Sequence, residues 1–391
     1  MLRIREEEIS YAPPAAGLDG LRVLHVGKFY PPHPGGMETH LQGLCGELKR
    51  ALRVEVVVAN SGRETAREVI DGVEVTRLGT SFNLGAAPVC PRLTRTIRQS
   101  KADLVHLHWP HPTAVLAYLA SGRRGPLVLT YHSDIVRQKI MGRAFWPALK
   151  RALSLADAVI ATSPGYLNTS PVLQKFRERC RVIPLGIPLE RFDGPDAAEV
   201  ARVRQRYGRR IVLGVGRLVY YKGFEYLIQA MREVAGQLII VGSGPLRGEL
   251  ERAARGCGVG GRVHILSEVR EVAPYYHAAD VFALPSVARS EAFGIVQLEA
   301  MACGLPVVNT RLDSGVTFVS QDRRTGLTVP PADPQALARA INALLDDPAL
   351  NAEYGRAGRL RVEREFSLRA MADRTLRLYE EVMSAVGARG N

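Results

Sequence analysis

Short runs of valine, isoleucine and leucine alternate with helix-length segments from one end of this chain to the other, and that alternation constrains the fold more than any other feature. Apolar runs with no polar face read as strands covered on both sides, which is the state of parallel strands joined by crossover helices. Such strands are predicted at Leu21–Val26, Val54–Ala59, Val73–Arg77, Leu104–His108, Leu127–Tyr131, Ala158–Ala161 and Arg181–Pro184. A second set is predicted at Ile211–Val215, Leu238–Val241, Val263–Leu266, Val281–Leu284, Val307–Asn309 and Leu327–Val329. The fold class is therefore α/β, with two doubly wound parallel sheets, and 391 residues suffice for two domains. Pro188, Gly194 and Pro195 break both periodicities within Gly186–Ala198, which places a linker there and divides residues 21–190 from 191–367. Residues 1–20 form an N-terminal extension that matches no recognisable pattern. A closing helix is predicted from Leu368 to Val386, with Leu368, Met371, Leu376, Leu378 and Met383 seeking a surface to cover.

Composition excludes several classes. Leu104–Gly122 is long and uncharged, but His106, His108, Trp109, Pro110, His111 and Pro112 make it a poor membrane span. Glu6, Glu7 and Glu8 stand where a secretory signal needs an apolar core, so the expected compartment is the cytosol. Cys45, Cys90, Cys180, Cys257 and Cys303 are too scattered for a disulfide scaffold or a CxxC metal pair and are expected to be small buried hydrophobes. The net charge of +13 is concentrated in residues 1–190, where 25 basic residues face 16 acidic ones. Val75–Ala102 (Arg77, Arg92, Arg95, Arg98, Lys101) and Ile135–Ala156 (Arg137, Lys139, Arg143, Lys150, Arg151) contain no acid at all. With Leu93 and Ile97 beside them, Arg92, Arg95 and Arg98 suggest a basic amphipathic face for an anionic membrane surface. Nucleic acid is not an expected partner, because no binding motif accompanies the charge.

Ligands of open α/β sheets bind at the carboxyl ends of the strands, so the chemistry should sit in the loops that follow them. Gly35 and Gly36 precede a helix opening at about Met37, where free N–H groups favour an anion and glycine allows close approach. Arg217 and Lys222, in GRLVYYKG, supply a guanidinium fork and an ammonium suited to a diphosphate. VGSGPLRG places Gly242, Gly244 and Gly248 after a strand, as an imperfect dinucleotide fingerprint or as plain strand-to-helix packing. In SEAFGIVQLEAMA, Ile295, Leu298 and Met301 already supply a core face, which leaves Glu291 and Glu299 without a packing role. A donor with hydroxyls at both ends accounts for them: Glu291 accepts from a sugar, Glu299 from a ribose, and the helix starting at Gly294 meets the phosphates between.

Those motifs, with the linker PLGIPLERF and the N-terminal PPHPGGME, resemble the retaining glycosyltransferases of family 4 over nearly the whole chain after Leu21. The resemblance implies a GT-B fold: two Rossmann-like domains, a donor site in the cleft between them, and a final helix, residues 368–391, crossing back to the first domain. It implies that Arg217 and Lys222 hold the diphosphate, that Phe293, Gly294 and Ile295 lie against sugar and phosphate, and that Gly242 lies near the nucleotide. His132, in TYHSDIVRQK, corresponds to the family's histidine near the anomeric carbon. YHSDIVRQK, ATSPGYLNTS and VIPLGI further resemble bacterial O-antigen and exopolysaccharide mannosyltransferases, which implies GDP-mannose as donor and a lipid-linked or oligosaccharide acceptor at the inner face of the membrane. The family's usual Gly-Gly pair and glutamate after the next strand are replaced here by TRLDSGVTFVSQDRRTG, which leaves a UDP-sugar open as donor.

No cofactor or metal is expected. His106 and His108 alternate on one strand face and His111 follows, but no carboxylate or cysteine stands nearby in sequence to complete a zinc site. A nicotinamide-dependent oxidoreductase is the rival from another class, resting on VGSGPLRG, and a non-catalytic nucleotide-sugar-binding subunit is a third reading. If Lys222 acts only on the leaving group, its removal should cost turnover and leave the melting temperature nearly unchanged.

Overall fold

The computed structural model describes residues 18, 20–33, 35–85, 87–134, 139–194 and 196–390, with the backbone alone at 139–143 and 389–390. The expectations resting on Glu6–Glu8, Pro195, Arg137 and the side chains of Lys139 and Arg143 lie outside the described residues. The chain divides into two compact units, one running to Gly186 and resuming at Leu368, the other comprising Ile187–Ser367.

In the first unit β1 (Arg22–Val26), β2 (Arg53–Ala59), β3 (Ala66–Ile70) and β4 (Val73–Leu78) are followed by a short hairpin, β5 (Phe82–Leu84) with β6 (Ala87–Val89). β7 (Leu104–Trp109), β8 (Leu127–Tyr131), β9 (Ala158–Ala161) and β10 (Cys180–Val182) complete it. Among the described residues they form an eight-stranded sheet, ordered β10-β9-β8-β7-β1-β2-β4-β3, parallel except where β3 pairs antiparallel with β4. β7, β8 and β9 are buried along their whole length, which is why their sequences carry no polar alternation. β3, reading AREVI, is an exposed edge whose polar residues hid it from the hydrophobic pattern. The closing helix runs Leu368–Gly390 and buries Met371, Leu376, Leu378, Tyr379 and Val382 in the same cluster as Val23, Leu41 and Leu44.

The second unit holds β11 (Ile211–Val215), β12 (Gln237–Val241), β13 (Val263–Leu266), β14 (Val281–Leu284), β15 (Val307–Thr310) and β16 (Gly326–Val329). They form a six-stranded sheet ordered β13-β12-β11-β14-β15-β16, every pairing parallel. This is the strand order 3-2-1-4-5-6 of a dinucleotide-binding sheet. Leu213, Ile239, Phe282 and Val307 are fully buried in it.

Two sequence expectations change and a third holds. Leu93 and Ile97 are buried against the protein, and Arg98 donates to the carbonyls of Ser121 and Ala120 at 3.0 and 3.2 Å. The buried Leu93 and Ile97 thus leave the helix Leu93–Gln99 without the expected apolar stripe, and Arg92, Arg95 and Lys101 form an exposed basic surface. Cys45, Cys90 and Cys180 are buried as expected, whereas Cys257 and Cys303 are only partly so. Leu104–Gly122 is the strand β7 followed by the helix Pro112–Ser121, and no described helix is long and apolar enough to cross a membrane.

The glycines after β12 are fixed by backbone packing. Gly242 has φ 156°, and a methyl there would stand 1.9 Å from the Gly216 carbonyl oxygen. Gly244, at φ 158°, approaches the Leu218 backbone in the same way, and the Leu218 N–H donates to the Ser243 carbonyl at 2.9 Å. Gly242→Ala should therefore lower stability by about 1–3 kcal/mol or more. Gly261→Ala, where a methyl meets nothing within 4 Å, should be nearly neutral. Urea midpoints of the two variants compare them directly.

Candidate active site

In the second unit the crossovers leave in opposite directions from β11 and β14, which lie side by side. A crevice opens at the carboxyl ends of strands where such a reversal occurs, so the loops following these two strands are the first place to look. The loop after β11 ends in the short turn Tyr220–Lys222, with Gly223 at φ 64°. A methyl on Gly223 would stand 2.2 Å from the Pro285 carbonyl oxygen, so glycine is what lets this loop lie on the one after β14. The Val287 N–H donates to the Tyr221 carbonyl at 2.8 Å and holds the two together.

That packing brings Lys222 Nζ to 2.6 Å from Glu291 Oε2, with the two side chains only 9% and 10% exposed. Ser286 Oγ donates to the same carboxylate oxygen at 3.0 Å, and the Thr310 hydroxyl in turn donates to the Ser286 carbonyl. Arg217, in the same loop, is exposed and forms no ion pair among the described residues. Of the expected diphosphate clamp, Lys222 is thus already held by a carboxylate and Arg217 is exposed.

Gly294, at φ 77°, opens the helix Ile295–Ala302, and a methyl there would press on Gln297 Nε2 and Leu284 Cδ2. Leu298 and Met301 are fully buried, but Ile295 is only part-buried and Gln297 takes the remaining core position. It does so because its amide is paired: Gln297 Oε1 accepts from Asn309 Nδ2 at 2.9 Å, and Asn309 Oδ1 accepts from Thr328 Oγ1 at 2.7 Å. Phe293, 3% exposed, packs edge-on against Phe366. The helix start is therefore fixed from behind. Glu299 accepts a hydrogen bond from the Tyr276 hydroxyl at 2.7 Å; burial raises its pKa, and that bond with the charges of Arg191 and Lys222 opposes the rise. Neither Tyr276 nor the Gln297–Asn309 pair was marked by any spacing in the sequence.

The first unit has its own reversal between β1 and β7, and histidines crowd it. His25 on β1 stands in register with His106 on β7. His108 follows two residues on, His132 follows β8, and His40 comes from the helix Gly36–Leu48. All five are at most 6% exposed. His25 Nδ1 lies 3.1 Å from His108 Nε2, and His108 Nδ1 lies 3.3 Å from His132 Nε2. His106 bridges the Tyr379 hydroxyl and Thr130 Oγ1, both at 2.6 Å. His40 packs its ring edge-on to His132, and neither of its nitrogens has a hydrogen-bond partner. The His106–His108 alternation was legible in the sequence; that their neighbours are other histidines was not. At the start of the same helix Gly35 is extended, and Glu38 fills the space beside it: a methyl on Gly35 would stand 2.1 Å from Glu38 Oε2. The backbone donors at Gly35 and Gly36 thus share their surroundings with a carboxylate.

Comparison with known proteins matches residues 34–191 to the family described as Glycosyltransferase Family 4 and residues 209–347 to Glycosyl transferases group 1. The chain is 32% identical to O-antigen chain mannosyltransferase C of Escherichia coli, over 93% of this chain and all of that one. It is 32% identical to the D-rhamnosyltransferase WbpZ of Pseudomonas aeruginosa, over 89% of this chain and 92% of that one. A GDP-mannose-dependent phosphatidylinositol monomannoside mannosyltransferase of Mycolicibacterium smegmatis is 33% identical over 86% and 92%. Among solved structures, sucrose-phosphate synthase of Thermosynechococcus elongatus superposes with a TM-score of 0.78 at 28% identity, covering 93% of this chain and 100% of that one.

Burial holds the histidines in their neutral form. It lowers the pKa of His25 to about 3 and of His40 to about 4, and those of His106, His108 and His132 fall well below the ordinary 6.5. Above pH 6.5 both folded and unfolded chains leave them neutral, so stability is complete there. Below it the unfolded chain takes up protons that the folded one refuses, and stability falls as pH drops toward the folded values. Each group contributes a slope of up to about 1.4 kcal/mol per pH unit. Thermal unfolding followed from about pH 7 to about pH 5, above the main carboxylate range, should show this loss, and His40→Leu should flatten it.

Proposed function

Because the chain belongs to glycosyltransferase family 4, we propose that it moves mannose from GDP-mannose, with retention at the anomeric carbon, onto a lipid-linked or saccharide acceptor of a cell-surface polysaccharide. The observation that carries the reading is the Lys222–Glu291 pair at the strand reversal of the second unit, beside a helix start at Gly294. An ammonium for a diphosphate, a carboxylate for sugar hydroxyls and free backbone donors for phosphate oxygens are what a nucleotide-sugar donor requires. Mannosyl transfer and GDP-mannose dependence are named among the relatives. Glycines 242 and 244 are accounted for by backbone contact, which removes the basis of the oxidoreductase rival.

In this reading the bond between the anomeric carbon and the diphosphate oxygen breaks as the acceptor hydroxyl oxygen bonds on the same face, and the leaving phosphate takes the acceptor's proton. Lys222 and the exposed Arg217 neutralise the charge gathering on the diphosphate. The donor's arrival gives Lys222 a second anionic partner and frees one Glu291 oxygen for the sugar. Phe293, Gly294 and Ile295 lie along sugar and phosphate, Glu299 accepts from the ribose, and Gly242 supports the loop that carries Arg217. For His132, Gly35 and Gly36 of the first unit the reading keeps the roles that the family resemblance implies. No protein base and no metal is required for this chemistry.

Nucleotide release from purified protein tests the donor. GDP-mannose should be turned over, and release from UDP- or ADP-sugars alone would overturn that choice. Nuclear magnetic resonance of the product decides retention; an inverted anomer would refute it. The buried pair also changes what loss of Lys222 should do. Lys222→Ala strands the Glu291 carboxylate, so it should cost about 3–5 kcal/mol of stability as well as roughly 10²–10³ in turnover. Lys222→Met combined with Glu291→Gln should recover most of the stability and none of the turnover. Recovery of both would make the pair purely structural. Glu299→Gln should chiefly weaken nucleotide binding, since a ribose contact persists in ground and transition states alike.

A further inference from the structure

We propose that His40, His108 and His132 of the first unit bind one d-block divalent cation of the zinc type. Their donor nitrogens all lie within 4.8 Å of one another, and all three side chains are buried. The 3.3 Å between His108 Nδ1 and His132 Nε2 matches the separation of roughly 3.3 Å between two ligands of a tetrahedral ion whose Zn–N bonds are about 2.0–2.1 Å long. His40 supplies the third nitrogen. Both of its ring nitrogens are buried without a partner, a costly state that ligation relieves, and no hydrogen bond prevents the small ring rotation needed to close on the ion.

The outer contacts are also those of a metal site, in which a ligating imidazole donates its other nitrogen to a fixed acceptor. With a lone pair of His108 Nδ1 on the ion, His108 Nε2–H donates to His25 Nδ1 at 3.1 Å. His25 Nε2–H then points to the Tyr379 hydroxyl at 3.4 Å, which donates to His106 Nδ1, and His106 Nε2–H donates to Thr130 Oγ1. Every ring in this chain keeps one proton, and none changes charge. The neighbouring triad His25, His106 and His108 is also close enough in space, but hydrogen bonds engage both nitrogens of His25 and of His106. Only the set containing His40 has a nitrogen to spare. Three imidazoles leave a fourth position to water. Because the ion takes His132 Nε2, it competes with the role proposed for His132 and should inhibit transfer; metal binding itself does not rest on that role.

The test uses the untagged full-length protein, stripped with a chelator. Competition against a chromophoric chelator should show one tight equivalent of Zn²⁺, and Co²⁺ should give the intense visible bands of a four-coordinate site. His25→Leu should weaken Zn²⁺ binding roughly 10–100-fold, as loss of an outer partner does, and His40→Leu should weaken it further. Absence of a stoichiometric site in the wild type, or undiminished affinity in a folded His40→Leu protein, would overturn the proposal. In the transfer assay Zn²⁺ should inhibit the wild type and spare His40→Leu, each measured against its own metal-free rate. Equal inhibition of both would place the ion elsewhere and would likewise overturn it.

Discussion

Each sheet reverses its winding once, and the polar chemistry of each unit gathers at that reversal. β11 and β14 send their crossovers in opposite directions, as do β1 and β7, so no helix covers the strand ends between them. Loops must close the gap, and loops carry polar groups into partly buried surroundings. The two units meet the resulting desolvation problem differently. The second pairs opposite charges, Lys222 with Glu291, and adds Ser286 as a further donor. The first keeps five imidazoles neutral and links four of them, all but His40, by hydrogen bonds into a chain that passes through Tyr379 and ends on Thr130.

A buried ion pair is held together only if its surroundings are fixed, and here glycine fixes them. Gly216, Gly223, Gly242 and Gly244 let three strand-end loops stack backbone on backbone, with the Lys222 side chain lying against Gly216. The same packing leaves Arg217 outside. One loop thus delivers a buried, paired cation and an exposed one, both of which suit a ligand that carries a diphosphate.

How far this was legible in the sequence depends on which physical signal marked each part. Buried parallel strands announce themselves by apolar runs rich in Val, Ile and Leu, and β8, β9, β11 and β14 begin and end where that pattern does. β3 carries no such signal, because an exposed edge has no reason to be apolar. Glu291 and Glu299 stood out because a helix with its core face already assigned had two carboxylates to spare. Assigning that face by period alone put Ile295 where Gln297 belongs; a glutamine is buried there only because Asn309, on another strand, satisfies it. The basic helix near Arg92 misled for the converse reason. Its Leu93 and Ile97 read as a membrane-facing stripe, whereas the protein itself covers them.

The histidines show the limit of reading along one strand. His106 and His108 share a face by the two-residue period, but His25 arrives by strand register, His40 from a helix and His132 from a strand end. Register is a property of the sheet and not of any one segment, so only the fold brings the five together. Tyr379 ties this group to the closing helix through its hydroxyl bond to His106. The chain's last helix therefore does more than cover the first unit's core: it supplies a link in the hydrogen-bond chain, its Tyr379 hydroxyl standing between His25 and His106. An imidazole whose proton is assigned on one nitrogen presents a defined lone pair on the other. The lone pair that His108 offers to a ligand is in this sense coupled, through His25, to a residue on the last helix of the chain.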